Sequence, residues 1–465
     1  MTSKQTIDQA LARAPLPPPA ALEELTRALG SFVVVDLETT GLDPTSARII
    51  EVGAVKLVPG EEPEVFQALV DPGVALEPGI EHLTGISGSD LAGEASWEEV
   101  APAFARFAAV PTLIAHNAAF ERAMLARRLV HTERYLDTLE LACVLRPELP
   151  SHSLATLARL LLGRGERHRA LDDALDTLAV LSELRGEVLA GEHAPLAGLL
   201  ASGARRWSWS GLLVPGEGEA RLPSWSGDRA ERRVAGQGAG VATHAEQPWV
   251  AWQSPATQAI PPDWYSPEFL RSCLGDERRW QRVIPGYLCR DGQVELAVDI
   301  LRAFQTERAF AAEAGTGIGK TLAYCLVATL HALVTGERVV ISSANKTLQG
   351  RIVEEELPRV AAGLGIPGPR AIVLKGRANY GNPARARAIA ARPADFGFEA
   401  LSDAARLYLT TFFARCPGQD LESLGGWLLF QDPSLRVVRE RIACHAQCSE
   451  RACRSETPTC AYLQR

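Results

Sequence analysis

The sequence lacks both a long uncharged hydrophobic run and an excess of positive charge. No segment of its 465 residues has the roughly 18 consecutive uncharged apolar residues of a membrane-spanning helix. The amino terminus also lacks the basic start and apolar core of a secretory signal. We therefore expect a cytoplasmic protein with no membrane partner. Acidic residues outnumber basic ones by 56 to 48, so any surface that binds nucleic acid has to be local.

The composition sets the scale of the molecule. With 46% hydrophobic and 22% charged residues, it is that of a soluble globular protein. A chain of this length is too long for one hydrophobic core and predicts two to three domains. Composition and periodicity mark a lead-in at 1–29 and a tryptophan-containing linker at 191–262, which leaves 30–190 and 263–465 as the two candidate domains. We expect the lead-in to be a short helix with a loosely held proline-rich stretch.

An acidic pair at the end of an apolar segment is the first candidate site. Residues 32–35 are apolar and mostly β-branched, which predicts a buried strand, and Asp36 and Glu38 follow them. Residues two apart on a strand point to the same face. Ionised carboxylates avoid the interior unless cations neutralise them. The pair therefore indicates a site for Mg²⁺ or Mn²⁺, although a strand that ends at a polar turn would look similar.

Two later segments can complete such a site. An apolar run at 110–115 leads into a predicted helix with Glu121 in its first turn. A second predicted helix follows His168 and carries Asp173, with leucines recurring every three or four residues. Two-metal hydrolysis of a phosphodiester needs carboxylates to hold the ions and a base to deprotonate the attacking water. Histidine suits the second role because its pKa lies near neutral pH.

Taken in order, these segments resemble the three motifs of the DnaQ-like 3′–5′ exonucleases, in the branch that has a histidine base. The first motif matches as Asp36–Gly41 and the third as His168–Asp173, while 80–87 is similar to the family's loop before the second motif. The resemblance covers about 30–190. It implies an RNase H-like α/β exonuclease domain, with a mixed sheet and flanking helices.

The resemblance also assigns the site residues. It implies a general base at His168 and single-stranded DNA as the substrate, with RNA as an alternative. It places the last ligand at Asp173 rather than Asp172. The family usually has aspartate where this chain has the longer Glu121, which puts the rate and the metal preference in question. Four carboxylates would hold two Mg²⁺ or Mn²⁺ ions, namely Asp36, Glu38, Glu121 and Asp173.

A glycine-rich segment is the second candidate site, and it lies between a predicted strand at 308–313 and a predicted helix at 322–334. Residues 314–321 read AGTGIGKT, the sequence of a phosphate-binding loop. Glycines let backbone N–H groups surround phosphates at a helix N-terminus, while Lys320 reaches the β- and γ-phosphates and Thr321 binds magnesium. The residues assigned to ATP in this loop are Gly315, Thr316, Gly317, Gly319, Lys320 and Thr321.

The segments around this loop resemble the DinG-type branch of superfamily 2 DNA helicases, relatives of the XPD group. Arg290–Gln293 is similar to the branch's upstream motif, which implies that Gln293 contacts adenine. Val339–Gln349 is similar to motif Ia, and Lys375–Tyr380 to the start of the iron–sulfur region. The resemblance covers about 285–465. It implies a partial RecA-like ATP-binding domain and a role in DNA repair or replication.

A group of cysteines occupies residues 444–460. Thiols clustered in a cytosolic protein are more often a metal site than a disulfide framework. Asn382 stands where iron-cluster relatives carry a cysteine, so Cys444 or Cys416 would have to supply the fourth ligand of a 4Fe–4S cluster. Zinc or free thiols are the alternatives. The three cysteines placed like the family's later ligands are Cys448, Cys453 and Cys460.

Helicase motifs are missing after the phosphate-binding loop. No Asp-Glu-x-His motif follows it, nor does a second motor domain with its arginine. We therefore expect nucleotide binding without efficient hydrolysis, with the chain a fragment or the remaining motifs on another polypeptide. The favoured function is a 3′–5′ exonuclease fused to a truncated DinG-like helicase domain. The alternative is an ATP-responsive nucleic-acid-binding module with a weak nuclease.

Two features leave their interpretation open. His116 and Asn117 precede the helix of Glu121 and either contact the phosphate or sugar of the substrate or, for Asn117, cap the helix. The tryptophans of the linker, among them Trp207 and Trp209, either stack on unpaired bases or pack against a neighbouring domain.

Overall fold

The structure is a computed structural model that groups the chain into two compact units. The first unit comprises the described residues of 1–232 and 378–460, and the second those of 233–377. No helix in the described ranges is both long and apolar enough to cross a membrane. Thr316, Cys448, Cys453 and Cys460 lie outside the described residues. Those residues are 4–126, 134–149, 151–165, 167–193, 196, 199, 207–213, 260–315, 317–367, 369–416 and 420–444.

A mixed five-stranded sheet forms the centre of the first unit, with the order β3-β2-β1-β4-β5. The predicted apolar strand becomes β1, which pairs antiparallel with β2 and parallel with β4. Its alternating side chains fill a core on each face of the sheet, as expected for a sheet covered by helices on both sides. The strands are β1 (Phe32–Thr39), β2 (Ile49–Leu57), β3 (Glu64–Leu69), β4 (Thr112–Ala115) and β5 (Arg134–Asp137).

Helices flank this sheet, so the first unit is a mixed α/β fold of the kind that the sequence predicted. The helix that carries Asp173 is the longest of them, and most of its side chains are buried. In chain order the helices before residue 214 are α1 (Lys4–Arg13), α2 (Pro19–Leu29), α3 (Pro78–Thr84), α4 (Gly88–Leu91), α5 (Trp97–Phe107), α6 (Ala119–Ala126), α7 (Thr138–Leu145), α8 (Leu154–Leu157), α9 (Ala170–Leu189) and α10 (Ser210–Leu213).

The start of α9 lies directly against the sheet. Gly53 on β2 is paired with Asp36 on β1. A Cβ atom added at Gly53 would lie only 2.1 Å from the backbone nitrogen of Leu171. A side chain would therefore hold the helix away from the strand, and glycine permits the close approach. The helix that carries Asp173 thus begins over the face of the sheet that carries Asp36 and Glu38.

The lead-in is firmly packed rather than loosely held. Its second helix, α2, buries Leu25 completely in the core that α9 shares. Arg185 of α9 is buried and donates to Glu24 of α2 at 2.5 Å. Trp207 and Trp209 are also buried in this core, and their indole N–H groups donate to Glu140 and to the carbonyl of Asp137. These two tryptophans therefore pack against the first unit.

A helical segment from the end of the described sequence completes the first unit. We call this segment, residues 378–416 and 420–444, the C-terminal arm. Sequence analysis assigned it to the domain at 263–465, whereas in the structure its helix α18 packs on α7. The helices of the arm are α17 (Pro383–Ala391), α18 (Asp403–Arg415), α19 (Gly426–Gln431) and α20 (Ser434–Ile442).

The described residues of the second unit contain helices but no paired strand. The strand expected at 308–313 is absent, and these residues are largely exposed. A strand is stable when its backbone groups pair with a neighbour, and no described strand of this unit offers that pairing. Val340, in the segment expected to resemble motif Ia, is 88% exposed. The helices are α11 (Pro267–Gly275), α12 (Glu277–Gln281), α13 (Asp291–Thr306), α14 (Lys320–Thr335), α15 (Lys346–Arg351) and α16 (Leu357–Leu364).

Candidate active site

Three of the predicted metal ligands meet at one place. Asp36 and Glu38 on β1 point to the same face, and Asp173 in the first turn of α9 lies above them. Candidate ligand oxygens of the three carboxylates all lie within 4.8 Å of one another. Asp173 is only 4% exposed, while the other two are partly exposed. Cations bound here would relieve the repulsion between these carboxylates.

The neighbouring carboxylate, Asp172, faces elsewhere. It is buried, and the guanidinium of Arg13 on α1 binds both of its oxygens, at 3.1 and 3.2 Å. The lead-in helix thus neutralises Asp172 and leaves Asp173 as the acid of this pair that joins the cluster. The resemblance assigned the ligand to the same residue.

His168 lies two residues before α9 in an unusual backbone conformation. Its φ of 51° is in the left-handed region, which is uncommon for residues other than glycine. The residue that follows is anchored, because Glu51 on β2 accepts from Arg169 at 2.9 and 3.0 Å and from the backbone N–H of Ala170 at 3.1 Å. Glu51 is fully buried and faces Glu38 across the strand pair. These contacts fix the turn that presents His168.

Sequence reasoning missed Glu51. A sequence signal existed, because a glutamate within an otherwise apolar strand needs a buried partner. The identity of that partner, Arg169, could not be inferred, since the two residues are 118 positions apart. The positive charge of Arg169 also lowers the repulsion between the facing carboxylates of Glu51 and Glu38. The hydrogen bond with Glu51, together with the negative charges of both carboxylates, raises the pKa of the Arg169 guanidinium.

Glu121 is buried next to the cluster but is not part of the tightest group. Burial raises the pKa of its carboxyl group to about 8, and the negative charges of Asp137 and Glu38 add to this effect. Its Oε2 atom has no hydrogen-bond partner among the described residues. A buried carboxylate oxygen without a donor is costly unless a cation binds it. The position and chemistry of Glu121 therefore fit a fourth metal ligand.

Asp137 is a second residue that sequence reasoning missed. Its carboxylate accepts from the backbone N–H groups of Asn117 and Leu139, both at 2.9 Å. It therefore caps α7 and also holds the turn after β4, where Asn117 has a left-handed φ of 68°. An aspartate before the apolar helix 138–145 was a readable capping signal. The hydrogen bond to Asn117 could not be predicted from the sequence, because it joins the ends of two parallel strands, β4 and β5.

His116 lines the cleft beside the carboxylate cluster and has a structural role there. Its Nε2 donates to the carbonyl of His152 at 2.9 Å, and its Nδ1 lies 3.0 Å from the hydroxyl of Thr138. Burial lowers the pKa of His116 to about 4, so the ring is neutral near pH 7. The residue thereby ties the end of β4 to the loop around His152.

The donor set suits hard divalent cations. Asp36, Glu38, Asp173 and Glu121 offer only carboxylate oxygens, the ligands that Mg²⁺ and Mn²⁺ prefer. Charge repulsion within the cluster and the unpartnered oxygen of Glu121 are both relieved when cations bind. The residues present therefore fit a divalent-metal centre.

The glycine-rich loop that is predicted to bind phosphates lies in the second unit, before α14. Gly317 and Gly319 both have positive φ, as a tight loop of this kind requires. The ammonium of Lys320 donates to the carbonyls of Ala314 and Gly315 at 2.8 and 2.7 Å. The lysine is therefore folded onto the loop that would hold the phosphates.

Gln293 is buried against this loop. Its amide donates to the carbonyl of Gly319 at 3.0 Å and accepts from the hydroxyl of Tyr287 at 3.0 Å. A Cβ atom at Gly319 would lie 2.1 Å from the amide nitrogen, so only glycine fits there. The predicted adenine contact of Gln293 stays a prediction, while its contact with the loop is direct.

Two positions bear on the proposed iron–sulfur site. Asn382 caps α17 by accepting from the backbone N–H of Arg385 at 3.0 Å, which gives asparagine a structural role at this position. Cys444 is buried, and burial raises the pKa of the Cys416 thiol to about 12. A cluster at 444–460 stays a prediction, because Cys448, Cys453 and Cys460 lie outside the described residues.

The α/β fold with its acidic cluster fits a metal-assisted hydrolase of phosphodiesters. A comparison with protein families gives a more specific result. Residues 33–181 match the family described as Exonuclease (RNase_T). Residues 33–181 of the first unit are thus similar to an exonuclease domain.

Individual relatives extend the comparison. The chain is 28% identical over 358 residues to the 3′–5′ exonuclease DinG of Bacillus subtilis. This match covers 75% of this chain and 37% of that protein. The chain is 40% identical over 157 residues to the DNA polymerase III PolC-type of Thermotoga maritima, covering 32% of this chain and 11% of that one. The chain thus spans well under half the length of these curated relatives.

Among solved structures, exonuclease X in complex with 5′ overhanging duplex DNA is 25% identical. The match covers 33% of this chain and 90% of the exonuclease X chain, with a TM-score of 0.28.

Proposed function

We propose that the first unit is a metal-dependent 3′–5′ exonuclease that hydrolyses the terminal phosphodiester of single-stranded nucleic acid, with DNA as the substrate. The observation that carries this proposal is the meeting of Asp36, Glu38 and Asp173 within 4.8 Å, with His168 two residues before the helix that carries Asp173. The match of residues 33–181 to the exonuclease family supports it.

Each residue of the site has a part in this reaction. Asp36, Glu38, Asp173 and Glu121 would hold the divalent ions. When bound, such ions lower the pKa of a water molecule and stabilise charge on the phosphoryl oxygens. His168 accepts the proton of the water whose oxygen attacks the terminal phosphorus atom. The bond between phosphorus and the 3′ oxygen breaks, the 3′ oxygen takes a proton from solvent, and a nucleoside 5′-monophosphate leaves.

The second unit would bind a nucleotide at its glycine-rich loop. Gly317, Gly319 and Lys320 at the start of α14 have the conformations and the charge for a triphosphate. The similarity to the DinG exonuclease runs over 358 residues, beyond the family match at 33–181. We therefore propose a DinG-like nucleotide-binding domain, acting with the nuclease in DNA repair or replication.

A nuclease assay tests the first proposal. Purified protein with Mg²⁺ or Mn²⁺ should release nucleoside monophosphates from a 3′-labelled single-stranded oligonucleotide. His168→Ala should lower the rate by on the order of 10²–10⁴, while calorimetry shows unchanged Mn²⁺ binding. An intact oligonucleotide, or a variant as fast as the wild type, would refute the proposal.

Glu121 motivates a second candidate function. Its high pKa and its place outside the tightest ligand group favour a weak nuclease that retains nucleic acid in response to ATP. That function predicts oligonucleotide binding that changes with ATP, loses its ATP response in Lys320→Ala, and occurs without degradation. The Glu121→Asp variant separates the two candidates, because restoring the family's usual residue should turn a weak nuclease into a fast one.

A further inference from the structure

A cleft beside the carboxylate cluster has walls from two distant parts of the sequence. Its volume is about 490 Å³, within the range of roughly 300–1,000 Å³ in which proteins hold compact organic ligands. Asp36, His116 and the loop at 151–154 line it from the part of the chain that carries the carboxylates. Gly425 and Gly426 of the C-terminal arm also line it, and we call these two residues the glycine wall. The cleft therefore connects the metal-binding carboxylates with a segment outside the family match at 33–181.

The arm is held in this position by specific contacts. The guanidinium of Arg415 at the end of α18 binds Glu148 through three hydrogen bonds of 2.8 to 3.0 Å. The hydroxyl of Thr411 on the same helix donates to the carbonyl of Val144 on α7. Val144 lies on α7, whose N-cap is Asp137, and Glu148 follows the end of that helix. The arm is thus docked on α7 and on the turn after it, and Leu139 and Cys143 of α7 line the cleft.

The glycine wall is itself fixed. The hydroxyl of Tyr408, which is almost fully buried in α18, accepts from the backbone N–H of Gly425 at 2.5 Å. This bond sets the position of the turn that leads into α19. Gly426 lines the cleft, and a Cβ atom there would meet no atom within 4 Å, so a side chain at this position has open space around it.

The residues that line the cleft indicate which kind of ligand it binds. Leu139, Cys143 and Leu154 offer an apolar surface that suits the face of a base, and Ser151 and Ser153 offer hydroxyl groups for a sugar. Lysine and arginine are absent from the described residues that line it. A site without cations recognises a base and sugar better than an isolated phosphate. Its volume corresponds to about one nucleotide and does not admit a base pair with two backbones.

We propose that the C-terminal arm forms the second wall of the exonuclease cleft, and that the cleft binds the terminal unpaired nucleotide of a 3′ strand. The arm thereby selects single-stranded ends over paired ones. This inference rests on the proposed exonuclease function, because it supplies the substrate class of the same site. It assigns a substrate-binding role to residues 425 and 426, which lie far from the exonuclease motifs in sequence.

A binding experiment tests the wall separately from catalysis. In the full-length protein, Gly426→Leu places a side chain in the cleft at a helical position where leucine is favoured over glycine. With Ca²⁺ in place of Mg²⁺, fluorescence anisotropy should show an increase of about tenfold or more in the Kd of a labelled single-stranded oligonucleotide. Gly275→Leu is the matched control, since a Cβ atom there also meets nothing within 4 Å, and its Kd should equal that of the wild type.

Metal binding distinguishes a blocked cleft from a damaged metal centre. Calorimetry should show the same Mn²⁺ affinity in Gly426→Leu and wild type, because position 426 is not among the clustered carboxylates. An unchanged oligonucleotide Kd in Gly426→Leu would overturn the inference, as would an equal loss of Mn²⁺ affinity. Failure of the wild type to degrade a single-stranded oligonucleotide with Mn²⁺ would instead refute the proposed nuclease, while the Kd comparison would still decide the role of the arm.

The clamp between Arg415 and Glu148 gives a second, independent test. Arg415→Gln removes the charge that docks α18, so the wall should loosen. The ratio of Kd values for a blunt duplex and a single strand, measured with Ca²⁺, should fall by about threefold or more. An unchanged ratio in a folded variant would show that the arm does not select the substrate.

Discussion

Arg13 and Asp172 form a bidentate ion pair that joins the first helix of the chain to the helix of the active site. The guanidinium contacts both carboxylate oxygens, and Asp172 is 1% exposed. The next residue, Asp173, joins Asp36 and Glu38 in the acidic cluster. Two adjacent aspartates thus have different tasks, one structural and one at the metal site.

This difference predicts opposite outcomes for two matched variants. Asp172→Asn should lower the free energy of unfolding by about 1–2 kcal/mol, because it weakens a pair whose arginine is partly exposed. Its nuclease rate should remain near that of the wild type. Asp173→Asn should abolish Mn²⁺-dependent cleavage without comparable loss of stability. Urea unfolding and the nuclease assay measure both effects, and an inactive Asp172→Asn would contradict the assignment.

Glu51 should act as a positioning residue for His168. Glu51→Gln removes the charge that binds Arg169, while retaining the size of the side chain. We expect kcat to fall by on the order of tenfold to a hundredfold, because the turn that presents the base becomes less fixed. KM and the Mn²⁺ affinity should change little, and Glu51→Asp should recover part of the rate. A loss confined to Mn²⁺ affinity would show that Glu51 acts on the metal site instead.

Gly53 should be intolerant of any side chain. In Gly53→Ala the new methyl group would lie about 2 Å from the backbone of Leu171, so α9 must move away from β2. We expect a loss of roughly 1–3 kcal/mol in the free energy of unfolding, together with weaker Mn²⁺ binding because Asp173 moves with the helix. Gly79→Ala is the control, since its Cβ meets nothing within 4 Å. Equal stability of both variants would contradict the close contact.

The stability of the metal-free protein should depend on the protonation of Glu121. Its folded-state pKa is raised from 4.5 to about 8, so the folded protein retains a proton that the unfolded chain has lost between these values. The stabilising contribution of the protonated group is complete below about pH 4.5 and is lost as the pH rises through about 8. The free energy of unfolding in EDTA should therefore fall across this window.

Glu121→Gln tests this linkage, because glutamine keeps the shape of the neutral carboxyl group. Near pH 8 and without metal, the variant should be more stable than the wild type by on the order of 1–3 kcal/mol, and the difference should vanish near pH 5. With Mn²⁺ the order should reverse, since glutamine cannot supply an anionic oxygen. A wild-type stability that does not vary with pH in EDTA would show that Glu121 is ionised throughout.

The sequence predicted the candidate site best where metal-binding residue types fall within a regular local pattern of apolar residues. The buried strand with Asp36 and Glu38, the first-turn position of Glu121 and the helix of Asp173 all follow from patterns within about ten residues. A mixed α/β fold followed from the family resemblance, and the match at 33–181 confirms that family.

The contacts that hold the site together could not be read in the same way. Glu51 and Arg169 are far apart in sequence, and nothing local to Asp137 indicates that it holds the turn at Asn117. The docking of the C-terminal arm depends on Arg415 and Glu148, which are 267 positions apart. Such pairs depend on the assembled tertiary structure.

The strand expected at 308–313 failed for a different reason. Its apolar residues satisfy the local pattern, but a strand also needs a pairing partner, and the described part of the second unit provides none. The ATP-binding assignment stays a prediction for the same unit. It depends on the loop before α14, in which Gly317 and Gly319 have positive φ.

The exonuclease unit is discontinuous in sequence, and this has a consequence for its biosynthesis. The helix α7 ends at residue 145, whereas the helix that covers it, α18, begins at residue 403. At roughly 5–20 residues per second, a ribosome needs on the order of tens of seconds to translate the intervening chain. During this interval the face of α7 that α18 covers is exposed, and chaperones can bind it. Final folding of the first unit therefore follows the synthesis of the second unit.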